Sequence, residues 1–497
     1  MKKNICIALT MFVLLICCFS SGCSKSFIET FSTNCDNYNL QINIDEQSHL
    51  ANVKQTTTYV NKTGSNLDSI YFHLYANAFK ETAVNKPVSS VYQSKAYYNG
   101  FSDGGIEDLS ISINNNNINP EFADEDKTLL KVLLAQSLNN KSKIDIVFNY
   151  TVKIPNVNHR FGYGENTINM ANFYPIASVF ENGKFDENGY HYNGDPFYSN
   201  VSNYNVSITH NKSYVLASTG YLKNTTEDQT TVTEQYEAKA VRDYALVLSN
   251  KFKTLNKTIS KTTVKYYYYN DEQPEQSLNT SILSLKTFNN MFGTYPYSSL
   301  SVVESNFVHG GMEFPNLVLI SDSLDKYEDY TETIVHEIAH QWWYGLVGNN
   351  EFNYGWLDEG LTEFSTAMFF DKNSEYNVEY KTFMENAESS YSLFVDVYED
   401  VFKNVDTTMN RKLNEFKTEP EYVYISYVKG MLLFDNLKTF VGEKNMLKGL
   451  KLYFKNFKGK NACPNDLINC FEKATGKNLQ SFFDSWINGK VVISKEK

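Results

Sequence analysis

The segment "IVHEIAHQWW" sets His336 and His340 four residues apart with Glu337 beside the first. Its apolar positions Ile334, Val335, Ile338, Ala339 and Trp342 follow a helical period and predict a well-buried helix. At about 3.6 residues per turn, positions i and i+4 project from one face, so both imidazoles can reach one ion. Neutral imidazole suits zinc, and Glu337 sits one step round the helix, within reach of a water at the metal. Eighteen residues separate His340 from Glu359 in "YGWLDEGLTEF", on a second predicted helix. Two histidines and a carboxylate leave the fourth zinc position open, which hydrolytic chemistry requires. Asp358 is the neighbouring acid, but on a helix it points about 100° away. Glu363 lies one turn beyond Glu359 on the same face and is expected to accept a hydrogen bond from the outer nitrogen of a ligating histidine. One Zn2+ per chain is the expected cofactor.

These helices need a scaffold. From Cys35 to Thr262 the chain is dominated by short period-two segments such as "YNLQINID", "KIDIVFNYTV" and "YNVSITH", broken by Asn, Gly, Lys or Pro. That pattern predicts antiparallel sheets joined by polar turns. "FDENGYHYNGDPFYSN" reads as a long turn-rich connection, a candidate rim loop facing the next domain. Near Val264 the character changes: "VKYYYYND" predicts a strand, and "PEQSLNTSILSLKTFNNMFG" an amphipathic helix closed by Gly293. Helices then predominate, interrupted by strands near "FVHGGMEFP" and "LVLIS", and two short helices end the chain, the first starting at Pro464. The expected organisation is a leader over 1–22, a linker over 23–36, a β-domain over 37–262 and a mainly helical domain over 263–497. The fold class is multidomain α+β.

Bulk properties narrow the partners. The chain has 497 residues, 42% apolar and 21% charged, and a formal net charge of −12. Its lysines are scattered and its only arginines are Arg160, Arg242 and Arg411, so no nucleic-acid partner is expected. The start, "MKKNICIALTMFVLLICCFSSGC", has two lysines, an apolar run from Ile5 to Phe19 and small residues before Cys23. This is the layout of a secretory signal, and the small residues before Cys23 resemble a bacterial lipobox with Ser20 at the position that usually carries Leu. Cys23 is the expected lipidated first residue and membrane anchor, the alternative being an ordinary cleaved signal and a secreted product. An extracytoplasmic location follows. Cys35, Cys463 and Cys470 then remain and form no disulfide framework; Cys463 and Cys470 can pair only if Cys463 lies outside the helix starting at Pro464, since seven residues along one helix span about 10 Å.

Two further features bear on the chemistry. Glu313 is a carboxylate in the apolar, glycine-marked stretch "FVHGGMEFP", where burial is costly without a partner. "YVYISYVKG" offers three hydroxyl donors, Tyr422, Tyr424 and Tyr427, for charge developing opposite a metal.

Taken in order, "GGMEFP", "HEIAHQWW", "WLDEGLTEF" and "ISYVKG", with "AVRDYALVLS" and the strand pattern before them, resemble the gluzincin zinc aminopeptidase family, which includes aminopeptidase N and leukotriene hydrolase. The resemblance covers nearly the whole mature chain. It implies an N-terminal β-sandwich-like domain and a thermolysin-like metallopeptidase domain, with only a short helical tail where many members carry a large C-terminal domain. It implies zinc on His336, His340 and Glu359, Glu337 as general base, and Tyr427 as oxyanion donor. Gly310, Gly311 and Met312 would run beside the substrate backbone, and Glu313 would bind its free α-amino group. Phe314 stands where the family carries Asn, an expected change in the pocket wall. An N-terminal-domain glutamine of the family has Asn169 and Asn172 as candidate stand-ins, while His309 has no role to carry over. The expectation is a zinc aminopeptidase acting on peptides with a free N-terminus; the alternatives are a zinc endopeptidase and a non-catalytic surface peptide-binding protein.

Overall fold

Alternation decides the N-terminal half. The strand Asn37–Asp45 buries Tyr38, Leu40, Ile42 and Ile44 and exposes the residues between them, the pattern of a sheet with one face on the core. The computed structural model describes residues 26–491 and residue 493, so the leader over 1–22 and Cys23 lie outside the described residues. Asn37–Asp45 belongs to an eight-stranded sheet whose spatial order is Tyr221–Glu227, Thr231–Val241, Ser202–Asn211, Asn37–Asp45, Leu50–Val60, Lys143–Lys153, Gly105–Ile113 and Asn116–Ile118. Its neighbours pair antiparallel except Asn37–Asp45 with Ser202–Asn211, which run parallel. Two four-stranded sheets complete the layer architecture. Polar side chains tie the layers: Ala177 N–H donates to the Tyr38 hydroxyl at 2.9 Å, and Gln55 donates to the Pro175 carbonyl at 2.8 Å.

A five-stranded sheet opens the second half, in the order Lys253–Ile259, Thr262–Tyr268, β1 (Ser299–Ser305), β3 (Leu317–Ser321) and β2 (Gly311–Met312). Among the described residues β2 pairs antiparallel with β3 alone, Gly311 opposite Ile320 and Met312 opposite Leu319, so its other edge is free there. Helix α1 (Pro274–Met291) starts on Pro and ends before Gly293, which takes a positive φ of 139°. Then follow α2 (Tyr327–Ala339), α3 (Trp356–Lys372) and α4 (Lys429–Val441). α3 and α4 cross at Gly360 and Gly430, so closely that a Cβ on Gly430 would lie 2.7 Å from the Gly360 Cα. No other residue type permits that approach, and it sets where the start of α3 can sit. The chain ends in the two expected helices, Pro464–Thr475 and Gln480–Ile487. Cys463 caps the first from outside it, and Cys35, Cys463 and Cys470 are all free thiols. Among the described residues no helix is long and apolar enough to cross a membrane.

Arginine is scarce, and the first half uses one to grip the second. Buried Arg242 donates to the Tyr344 carbonyl at 2.9 Å and the Lys460 carbonyl at 3.2 Å, and also reaches Ser199 and Asn461. Tyr297 and Ser299 donate back to the carbonyls of Ala240 and Gly220, each at 2.6 Å.

Candidate active site

His336 lies in the last turn of α2 and His340 is its C-cap, still in right-handed helical geometry. Their Nε2 atoms are 3.1 Å apart, and Glu359 Oε2, from the first turn of α3, lies 3.2 Å from His340 Nε2 and 3.6 Å from His336 Nε2. Three ligands of a tetrahedral zinc with bonds of about 2.0–2.1 Å should stand roughly 3.3 Å apart. The donor set fits.

The outer nitrogens are fixed as well. His340 Nδ1 lies 2.9 Å from the Trp343 carbonyl, which can only accept, so Nδ1 carries the proton and Nε2 keeps its lone pair for a metal. His336 Nδ1 lies 3.3 Å from Glu363 Oε1. Burial opposes ionisation of Glu359, but His340 and His336 outweigh it and hold the carboxyl down at about 2, in the charged form a ligand needs. Asp358 is fully buried and accepts from Asn349 Nδ2 at 3.0 Å. Its carboxylate, with Glu313 and His340, forms a second group with ligand atoms within 4.8 Å of one another. Because His340 has one nitrogen free, the two groups compete for a single ion.

His336, His340, Glu359, Glu363 and Glu313, but not Asp358, border one cavity of about 420 Å³ that lies between the two halves of the chain. Its wall carries eight carboxylates and one guanidinium, that of Arg160. Four of them, Asp195, Glu313, Glu337 and Glu359, are buried, and that much buried negative charge calls for cations. Gly310 and Gly311 line the cavity at the free edge of the sheet, and a Cβ on Gly311 would strike the Glu337 carboxyl group. Glycine is therefore what lets the edge strand lie against α2. Glu337 Oε2 has no hydrogen-bond partner among the described residues, and burial lifts its carboxyl to about 7 against the opposing pull of His336 and His340.

Glu313 is 3% exposed, its Oε1 has no partner among the described residues, and burial followed by the Asp195 charge pushes its carboxyl well above the usual range. Its backbone is tied to the end of α2 by Gln341, which donates to the carbonyls of Glu313 at 3.3 Å and Phe314 at 3.2 Å while accepting from Asn316 N–H at 2.9 Å. The neighbour of a metal-site histidine thus fixes the separation of Glu313 from the donor set, which sequence reading missed. Met312 is buried on the cavity wall. Phe314 packs into the core and does not line the cavity, so the expected change in the pocket wall at that position is not found.

Among the three tyrosines the geometry separates one. Tyr427 donates to Glu359 Oε1 at 2.6 Å and its ring lies parallel to that of His336, 6.1 Å between centroids. It is carried by a π-helical turn, Tyr424–Val428, leading into α4. Such turns reorient side chains relative to a regular helix. Tyr424 stacks on Phe394 instead, and Tyr422 packs against Gly194 and Gly355.

The N-terminal half contributes through the turn-rich connection expected to form a rim loop facing the next domain, although no local pattern marked its individual residues. Tyr192, Gly194 and Asp195, in the turn-rich connection, line the cavity together with Arg160 and Tyr92. Asn169 is not there: it donates to the carbonyls of His159 at 2.9 Å and Asn306 at 3.1 Å and accepts from Ser305 at 2.8 Å, joining the sheets. Asn172 does not line the cavity either. His309 does, 3.7 Å from Glu419 and edge-on to Tyr92.

Comparison with known proteins follows the same outline. Residues 276–486 match the peptidase family M1 domain. Mitochondrial aminopeptidase 2 of Saccharomyces cerevisiae is 27% identical over 242 residues, 44% of this chain and 24% of its own length. Aminopeptidase N of Streptomyces lividans is 26% identical over 213 residues, 38% of this chain and 23% of its own. The chain spans about a quarter of the length of the curated relatives it matches, 22–27%. The solved M1 zinc metallopeptidase of Deinococcus radiodurans shares the fold, with a TM-score of 0.64 at 14% identity over 92% of this chain and 95% of that one. A variant of that protein has been solved with a Tyr-Ser-Ala substrate bound, at the same TM-score and identity.

Proposed function

We propose, from the premise that residues 276–486 form a peptidase family M1 domain, that the protein is a zinc-dependent aminopeptidase removing N-terminal residues from peptides outside the cytoplasm. One observation carries the reading. An orphaned, buried carboxylate, Glu313, borders the same cavity as a three-donor set of zinc geometry, at the end of a free glycine edge.

One Zn2+ per chain, held by His336, His340 and Glu359, would supply a Lewis acid that acidifies water and polarises the scissile carbonyl. The peptide pairs in extended form with the free edge at Gly310, Gly311 and Met312. Its ammonium meets Glu313, so the first peptide bond, and no later one, falls beside the donor set. Glu337 takes a proton from the attacking water and delivers it to the leaving amine. The Tyr427 hydroxyl donates to the carbonyl oxygen as negative charge builds there. Glu363 holds the His336 ring and Gln341 holds Glu313 in register.

The zinc-loaded protein should release fluorophore from an amino-acid amide, lose that activity with a chelator, and leave the N-acetylated amide intact. Glu313→Ala should erase the preference for the free amine. No hydrolysis of either substrate would return the protein to a peptide-binding role. Equal hydrolysis of both would make it an endopeptidase.

Export and lipid anchoring belong to the same proposal, supported by the leader over 1–22 and the small residues before Cys23. Mass spectrometry of the mature protein from a bacterial membrane fraction should find Cys23 as an acylated first residue. An unmodified N-terminus beyond Cys23 would rule the anchor out.

A further inference from the structure

Cleavage at the first peptide bond alone requires more than a group that attracts an ammonium. Something must also stop a chain that continues past it. Arg160 and Asp195 stand on the cavity wall that Glu313 shares. They form a buried ion pair, 7% and 10% exposed at their side chains. Asp195 ends the turn Tyr192–Asp195, and that turn is pinned to the second half of the chain at three points. Asn193 donates to the carbonyls of Leu413 at 3.2 Å and Phe416 at 3.4 Å. Gly194 adopts a left-handed φ of 53° directly against the Tyr422 ring, where any side chain would collide. Arg160 itself rests over the Phe197 ring, 5.0 Å from its centroid.

We infer that the Arg160–Asp195 pair and the Tyr192–Asp195 turn are the specificity-determining end wall of the cleft, closing it to any substrate that extends beyond a free α-ammonium. The inference rests on the reading of Glu313 as the group that meets that ammonium. The pairing supports it: Asp195 is matched by Arg160, while Glu313 on the same wall has no matched cation among the described residues. That leaves Glu313, and not Asp195, to meet one incoming ammonium. A neutral, bulkier acetylated terminus brings no charge and needs the volume the wall occupies. The pinning contacts matter because a mobile turn would yield to such a group, whereas one locked by a buried ion pair and two side-chain hydrogen bonds does not.

Peptide binding to the zinc-loaded Glu337→Gln protein tests this without turnover, with tri-alanine and N-acetyl-tri-alanine as probes in calorimetry. The Glu337→Gln protein should bind the first and reject the second. Adding Asp195→Asn keeps the wall's shape but leaves Arg160 unpaired beside Glu313. Tri-alanine affinity should then fall about tenfold or more, the scale of a contact to a charged group, with the acetylated peptide still rejected. Adding Arg160→Met with Asp195→Ala instead removes the pair as a unit and opens the wall, so both peptides should bind within about threefold of each other, a difference of under 1 kcal/mol. Circular dichroism confirms that each variant is folded. An unchanged tri-alanine affinity in the Asp195→Asn protein, or continued rejection of the acetylated peptide by the pair variant, overturns the end wall while leaving the function reading intact. Equal binding of both peptides by the Glu337→Gln protein itself would remove the ammonium reading and the wall with it.

Discussion

Glu337→Gln should leave the fold and zinc content unchanged and lower turnover by roughly 10⁴-fold, the upper end of what a positioned acid–base group contributes. The substitution is isosteric, so it opens no cavity against Gly311. Glu337 is not one of the three donors, so the metal site keeps its ligands. The native carboxylate is 4% exposed, with one oxygen unpartnered among the described residues. A neutral amide there removes a desolvation penalty, so thermal stability should hold or rise. What the amide cannot do is take a proton from water or return one to the leaving amine. Metal analysis, a melting curve and a turnover assay on one preparation separate these effects. Hydrolysis within tenfold of the parent, at full zinc content, would remove Glu337 as the general base.

Tyr427→Phe should cut turnover by about 10²–10³-fold, the range for losing one oxyanion donor. Burial pushes the phenol pKa well above its usual value, followed by the charge of Glu359, so the hydroxyl stays protonated and remains a donor. In the structure it donates to Glu359 Oε1 at 2.6 Å, while Oε2 faces the histidines. Its loss therefore leaves the three-donor geometry standing. KM should change little, because the contact strengthens only as charge builds on the carbonyl oxygen. Turnover within about threefold of the parent would exclude Tyr427 from the reaction. A parallel fall in zinc content would recast it as a residue that holds Glu359.

The parts of this site that were legible in the sequence are those set by short-range geometry. His336, Glu337 and His340 share a helix whose period places them, and Glu359 and Glu363 share another. Strand alternation announced the sheets of the first half in the same way. Residue types alone left the tyrosine a choice of three, since a regular helix through "YVYISYVKG" gives no reason to prefer one, and the resemblance pointed to Tyr427. The π-helical turn at Tyr424–Val428 broke that symmetry. The resemblance placed Phe314 in the pocket wall, where the family carries Asn, yet it is buried and does not line the cavity.

The three arginines show where sequence reading stops. Their scarcity weighs against a nucleic-acid partner and leaves open what each one does. Only the tertiary structure shows what the few are for. Arg242 clamps the two halves together, Arg411 pairs with buried Glu421 at 2.9 Å, and Arg160 locks Asp195. Asp195 and Glu313 are far apart in the chain, and no periodicity relates them; packing of one half on the other brings them to the same cavity. By itself the sequence determined that His336 pairs with His340 and Glu359 with Glu363, because a helical turn fixes which side chains share a face wherever the helix goes. The separation between Glu313 and the donor set, and the wall that ends the cleft, belong to contacts between distant segments, which only the folded chain decides.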